Sequence, residues 1–216
     1  MADITAAELK AAERIFGDRL DLARRYVEHL ETSGIERGLI GPREIPRLWG
    51  RHVLNCAVIE SEIAHGSHVA DVGSGAGLPG LCLAIARPDL ELTLIEPLER
   101  RVIWLQEVVD DLGLDNVTVM RTRAELAVGL VSADVVTARA VSALSKLAGL
   151  TIPLLDGKGE LVAIKGRGAA EEIEQAAKVI KKLGGVETKV VVCGAEVLEE
   201  PTTVVKVVVN KPRKSA

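Results

Sequence analysis

Residues 71–80, DVGSGAGLPG, decide the fold. They follow a short apolar run at 69–72 and open an alanine- and leucine-rich segment at 78–87. The first run reads as a buried strand and the second as a helix, and glycines supply the tight turn between them. In open parallel sheets, ligands bind beyond the carboxyl ends of the strands. Glycines at that point let the backbone approach a ligand without a side-chain clash.

Downstream of this turn, strands and helices alternate. Strands are predicted at 92–95, 117–120, 134–137 and 160–165. Leu98, Val102, Leu105, Val109 and Leu112 step by four and three, which predicts a helix stopped by Gly113. Further helices are predicted at 124–130, 145–155 and 169–183, the last closed by Gly184-Gly185. The final runs, 187–193 and 203–209, have no helix between them and must pair antiparallel. The sum is a Rossmann-like α/β fold: a seven-stranded, mostly parallel sheet ending in an antiparallel hairpin. Lys211, Arg213 and Lys214 read as a frayed, solvated tail.

Upstream of the turn the pattern is helical. Thr5 and Glu8 have capping-box spacing. Leu20, Ala23, Val27 and Leu30 predict an amphipathic helix closed at Ser33-Gly34. Residues 38–46 hold two glycines and two prolines and predict a loop. A third helix carries inward either Trp49, Val53 and Cys56 or His52, Cys56, Ile59 and Ile63, and ends at His65-Gly66. The expected organisation is a helical extension, 1–65, followed by a sheet domain, 66–216.

Composition narrows the function classes. The 216 residues suffice for one domain with a small appendage. Net charge is -4, which disfavours a protein that coats nucleic acid non-specifically. Two Trp, one Tyr and one Phe cannot build a platform of base-stacking aromatics. Cys56, Cys82 and Cys193 have no metal or disulfide spacing, so buried free thiols in a reducing cytoplasm are expected. No secretory leader and no membrane-spanning run is expected.

The glycine turn leaves two cofactor chemistries open. Gly75, Gly77 and Gly80 satisfy the dinucleotide spacing GxGxxG, while Gly73, Gly75 and Gly77 satisfy the GxGxG spacing of S-adenosylmethionine sites. Asp71, two residues before the first glycine, suits a ligand ammonium and would repel a pyrophosphate. The terminal hairpin and the lack of a His or Tyr-Lys constellation for hydride chemistry tilt the same way. Glu96, about twenty residues on, can accept hydrogen bonds from ribose hydroxyls.

The stretches LWGRHVLNC (48–56), DVGSGAGLPGLCLA (71–84), LIEPLERRVIWL (94–105), RTRAE (121–125), TARAV (137–141) and AIKG (163–166) occur in order. Together they resemble the glucose-inhibited division protein B family, the small-subunit rRNA guanine-N7 methyltransferases. The resemblance runs from about residue 40 to the C-terminus; Cys56 departs from it where relatives often carry Ser. It implies S-adenosyl-L-methionine as cofactor, held by Gly73, Leu78, Glu96, Ala124, Glu125 and Arg139, to which the turn itself adds Asp71 and Gly75. It also implies 16S rRNA as substrate. The acidic balance favours a folded 30S subunit over naked RNA. A monomer without metal or membrane association is expected.

Guanine N7 has an in-plane lone pair and no proton, so its methylation needs no general base. The stretch 135–141, VVTARAV, lacks the Asn/Asp-Pro-Pro-aromatic segment common in exocyclic amine methylation. No cysteine stands after the fourth strand as a pyrimidine C5 nucleophile would. Catalysis would rest on positioning and electrostatics. Arg139 and Lys165 are the candidate catalytic residues, each following a strand on the cofactor side. Lys165, Arg167, Arg47, Arg51, His52 and Asn55 are the candidate substrate contacts. The competing readings are surface cations for the arginines, a hydrogen-bonded core histidine for His52 and a brace for the glycine loop in Asn55.

Overall fold

A computed structural model describes residues 3–139 and 141–211. The expected basic tail residues Arg213 and Lys214 lie outside them. The sheet has seven strands in the order β3-β2-β1-β4-β5-β7-β6. They are β1 His68–Val72, β2 Glu91–Ile95, β3 Val117–Met120, β4 Val135–Arg139, β5 Lys158–Ile164, β6 Gly185–Cys193 and β7 Thr202–Asn210. β1 to β5 run parallel, and β7 pairs antiparallel with both β5 and β6. The predicted hairpin is present; β7 inserts between β5 and β6, leaving β6 at the edge.

The helices are α1 Ala6–Phe16, α2 Leu20–Glu31, α3 Ser33–Glu36, α4 Asn55–Ala57, α5 Gly80–Ala86, α6 Glu99–Leu112, α7 Ala124–Ala127, α8 Leu144–Thr151 and α9 Ala169–Leu183. Local chemistry explains their ends. Thr5 and Glu8 close the predicted capping box on α1, and α6 and α9 end at left-handed Gly113 and Gly184, which carry no Cβ penalty there.

Three local expectations need correction. Ser33-Gly34 do not stop the chain but begin α3: Ser33 accepts the Trp104 indole N–H at 2.9 Å, and Gly34 lies against the Trp104 ring. The loop expected at 38–46 contains a 3-10 helix, Pro42–Arg47, because Pro42 presets its first turn. The single third helix is instead a π-helix, Leu48–Leu54, then α4, then a 3-10 helix, Val58–Glu62. Gly50 sits where a Cβ would meet Glu8 Oε1 at 2.6 Å, so the wide turn forms against α1.

Strand alternation divides the core into two layers. Val69, Leu92, Leu94, Val135 and Val162 pack with the N-terminal helices, α5 and α6. Ala70, Ile95, Val136, Ala138 and Leu161 pack with α7, α8 and α9. The first layer runs without a break from Ala11 to Val204, so the residues before 66 share one core with the sheet.

Candidate active site

Gly73, Gly75 and Gly77 all have positive φ (71°, 58° and 82°) and carry the chain from β1 across the carboxyl ends of the central strands. Three sides hold this turn. From β2, the Ile95 carbonyl accepts from Gly73 N at 2.9 Å and Ser74 N at 3.3 Å, and Glu96 Oε2 accepts from Gly75 N at 3.0 Å. From β1, Asp71 Oδ2 accepts from Gly80 N at 3.1 Å. From α2, the buried Tyr26 hydroxyl donates to the Ala76 carbonyl at 2.6 Å. The first two ties follow from the motif. Tyr26 was missed, because its spacing marks only a helix face.

Gly75 and Gly80 need glycine for different reasons. At Gly75 a Cβ would meet only the Gly73 carbonyl, at 3.7 Å, so the space above it is open and the restriction is the left-handed backbone. At Gly80 a Cβ would strike Leu94 and approach Asp71 Oδ2 at 2.7 Å, so the helix start packs tightly on two strands.

Asp71 is fully buried, and burial pushes its carboxyl up to about 7 despite Ser74, the Gly80 N–H and the Arg139 charge. Its Oδ1 has no partner. Thr137, its register neighbour on β4, also carries a buried, unpartnered oxygen. The third such atom is Arg101 Nε, on a guanidinium 3.5 Å from Glu96. Among the described residues these three orphans all lie around the ends of the central strands. Buried polar atoms that the protein itself leaves unpaired suit a polar ligand.

Arg139 ends β4 on the Asp71 side of the sheet. Its Nη2 donates to His52 Nδ1 at 3.1 Å and its Nη1 to the Arg51 carbonyl at 3.5 Å. His52 Nε2 therefore carries the proton and donates to Glu44 at 2.8 Å. Burial lowers the His52 pKa; Glu44 opposes this, and Arg139 reinforces it. The hydrogen bond from His52 holds the Glu44 carboxyl low. Glu44 sits in the stretch read as loop, where nothing in the sequence pointed to it. The thiols of Cys56 and Cys82 are buried beneath, and burial raises Cys82.

The other predicted residues divide. Leu78 and Ala124 are buried, and Glu125 is exposed in the first turn of α7. Glu96 is buried, with Oε1 on Leu98 N at 3.0 Å. Arg47 and Arg51 are exposed and line one cavity of about 480 Å³ with Glu8, Leu54, Leu198 and Glu200. The backbone carbonyl of Asn55 accepts from Thr202 Oγ1 at 2.8 Å. Arg167 is exposed. Lys165 is not free: its ammonium donates to the Ser142 carbonyl and to Glu172, both at 2.7 Å.

A glycine turn between β1 and α5, an acid after β2 and the sheet order with β7 inserted antiparallel define a class I S-adenosylmethionine-dependent methyltransferase. Solved structures agree on that fold. M. jannaschii TYW2 in complex with AdoMet matches with TM-score 0.59 and 17% identity over 76% of this chain and 78% of that one. A putative S-adenosyl-L-methionine-dependent methyltransferase from Methanococcus maripaludis matches with TM-score 0.57 and 13% identity over 88% and 94%. The pattern of the GidB family, rRNA small subunit methyltransferase G, matches residues 19–202, and the chain belongs to that family. Relatives called ribosomal RNA small subunit methyltransferase G are 86% identical in Paenarthrobacter aurescens, over all of both chains. The relative in Renibacterium salmoninarum is 68% identical over 99% of this chain and all of its own.

Proposed function

We propose that this methyltransferase transfers a methyl group from S-adenosylmethionine to N7 of a guanine in 16S rRNA, acting in the cytoplasm as a monomer on the 30S subunit. The observation that carries the cofactor site is the group of orphaned polar atoms at the strand ends. A cofactor that carries a free amino acid group fits them: Asp71 offers a carboxylate oxygen to its ammonium, and a pyrophosphate would meet an anion instead. Gly73, Gly75 and Leu78 would form the cradle, Glu96 would accept from ribose hydroxyls, and Ala124 and Glu125 would border the adenine. The cofactor supplies an electrophilic methyl group on a sulfonium.

Arg139 is then the residue that orients the reaction. His52 and the Arg51 carbonyl hold its guanidinium at the cleft, where it can donate to guanine O6 or a phosphate. N7 attacks with its own lone pair, so the chain's residues hold and align and remove no proton. Arg47, Arg51 and Arg167 present exposed cations for the RNA backbone. Among the described residues no helix is long and apolar enough to cross a membrane.

Mass-spectrometric mapping of 16S rRNA, from cells with and without this protein, tests the assignment. One 7-methylguanosine should disappear without it. An identical methylation pattern in both would overturn the substrate.

A further inference from the structure

Lys165 sits at the end of β5 and matches a cation expected at the substrate, yet only 9% of its side chain is exposed. Its ammonium lies 2.7 Å from the Ser142 carbonyl and 2.7 Å from Glu172 Oε2. The same Glu172 oxygen accepts the Leu144 backbone N–H, also at 2.7 Å. One ion pair thus joins the end of β5 and the first turn of α9 to Ser142, in the connection from β4 to α8, and to Leu144, the first residue of α8. That connection follows Arg139 directly. Its Val141 Cγ2 stands 3.2 Å from where a Cβ on Gly73 would lie, so it walls the first glycine of the cofactor turn.

We infer that Lys165 and Glu172 are positioning residues: together they latch the β4–α8 connection against the cofactor turn, and Lys165 acts through that connection, not by touching the base. The inference rests on the methyltransferase reading above. A substrate-binding lysine presents its ammonium to solvent. Here two acceptors on the protein engage it, and one of them also anchors the N-terminus of α8. Bonds to Lys165 and to the Leu144 N–H outweigh burial and keep the Glu172 carboxyl below its ordinary value, so Glu172 stays a carboxylate at neutral pH. Lysine suits the task because three donors on one nitrogen can serve a carbonyl and a carboxylate at once.

The test compares Lys165→Gln, Glu172→Gln and the double variant in the full-length protein. Rates on 30S subunits and amide exchange of Leu144 are both measured. A latch predicts that Glu172→Gln alone lowers kcat about tenfold, that Lys165→Gln does the same, and that the double variant is no worse than either. Leu144 exchange should accelerate in all three. A hundredfold loss in Lys165→Gln beside a rate within twofold of the parent in Glu172→Gln would assign Lys165 to the substrate and overturn the inference. Unchanged Leu144 exchange in the single variants would overturn it too. If the parent transfers no methyl group to 30S subunits, the methyltransferase reading fails, and the exchange arm still decides whether the latch exists.

Discussion

Gly75 and Asp71 carry the sharpest single-residue tests. Gly75→Val places a β-branched side chain at φ 58° and in open space above the turn. The backbone strain costs about 1–2 kcal/mol, which a chain of this size tolerates. The protein should fold by circular dichroism and lose S-adenosylhomocysteine binding by calorimetry. Asp71 titrates near 7, above the ordinary carboxylate value, so the folded protein without cofactor holds a proton that the unfolded chain has lost. That favours the folded state at low pH, and the advantage fades as pH rises from about 4 to about 7. An ammonium needs the charged form, so cofactor binding releases the proton. Affinity for S-adenosylhomocysteine should fall roughly tenfold from pH 8 to pH 6. Asp71→Asn should bind weakly at both pH values and flatten the dependence. Arg139→Ala should reduce turnover at least tenfold with cofactor affinity less affected, as steady-state rates at saturating cofactor would reveal.

At the scale of elements, the helices before residue 66 brace the glycine turn and the end of β4. Tyr26 on α2 holds the Ala76 carbonyl, and the π-helix carries His52 to Arg139. Tyr26→Phe leaves that carbonyl unpaired in a buried setting, at a cost of about 1–3 kcal/mol. The expected outcome is a KM for S-adenosylmethionine several-fold higher, with kcat and the KM for 30S subunits preserved. A lower melting temperature with an unchanged cofactor KM would reduce Tyr26 to a core residue. Most elements were readable from the sequence because period, cap and glycine stop agree: α9 falls on the residues expected, 169–183, and β3 on 117–120. The third helix was not. A spacing of three and four over so few residues does not separate an α-helix from a wider turn.

Over the whole molecule, charge and topology set how substrate is met. A net charge of -4 gives little general attraction to RNA, while Arg47, Arg51 and Arg167 supply local cations. Methylation of 30S subunits should therefore far exceed methylation of protein-free 16S transcript under equal salt. Equal rates would remove the need for a folded particle. The sheet and the cofactor turn were legible in the chain because they depend on local order: a strand, glycines at fixed spacing, an acid one strand later. The resemblance added the substrate class and marked Arg139, and a place after a predicted strand marked Lys165. What each cation does was decided only by the fold. Residues 139 and 165 look alike in sequence, both basic and both at strand ends. Tertiary contacts leave Arg139 between an imidazole and a carbonyl at the cleft, and close Lys165 between Ser142 and Glu172. A side chain's partners come from other elements, and no local pattern encodes which of them arrives within hydrogen-bonding distance.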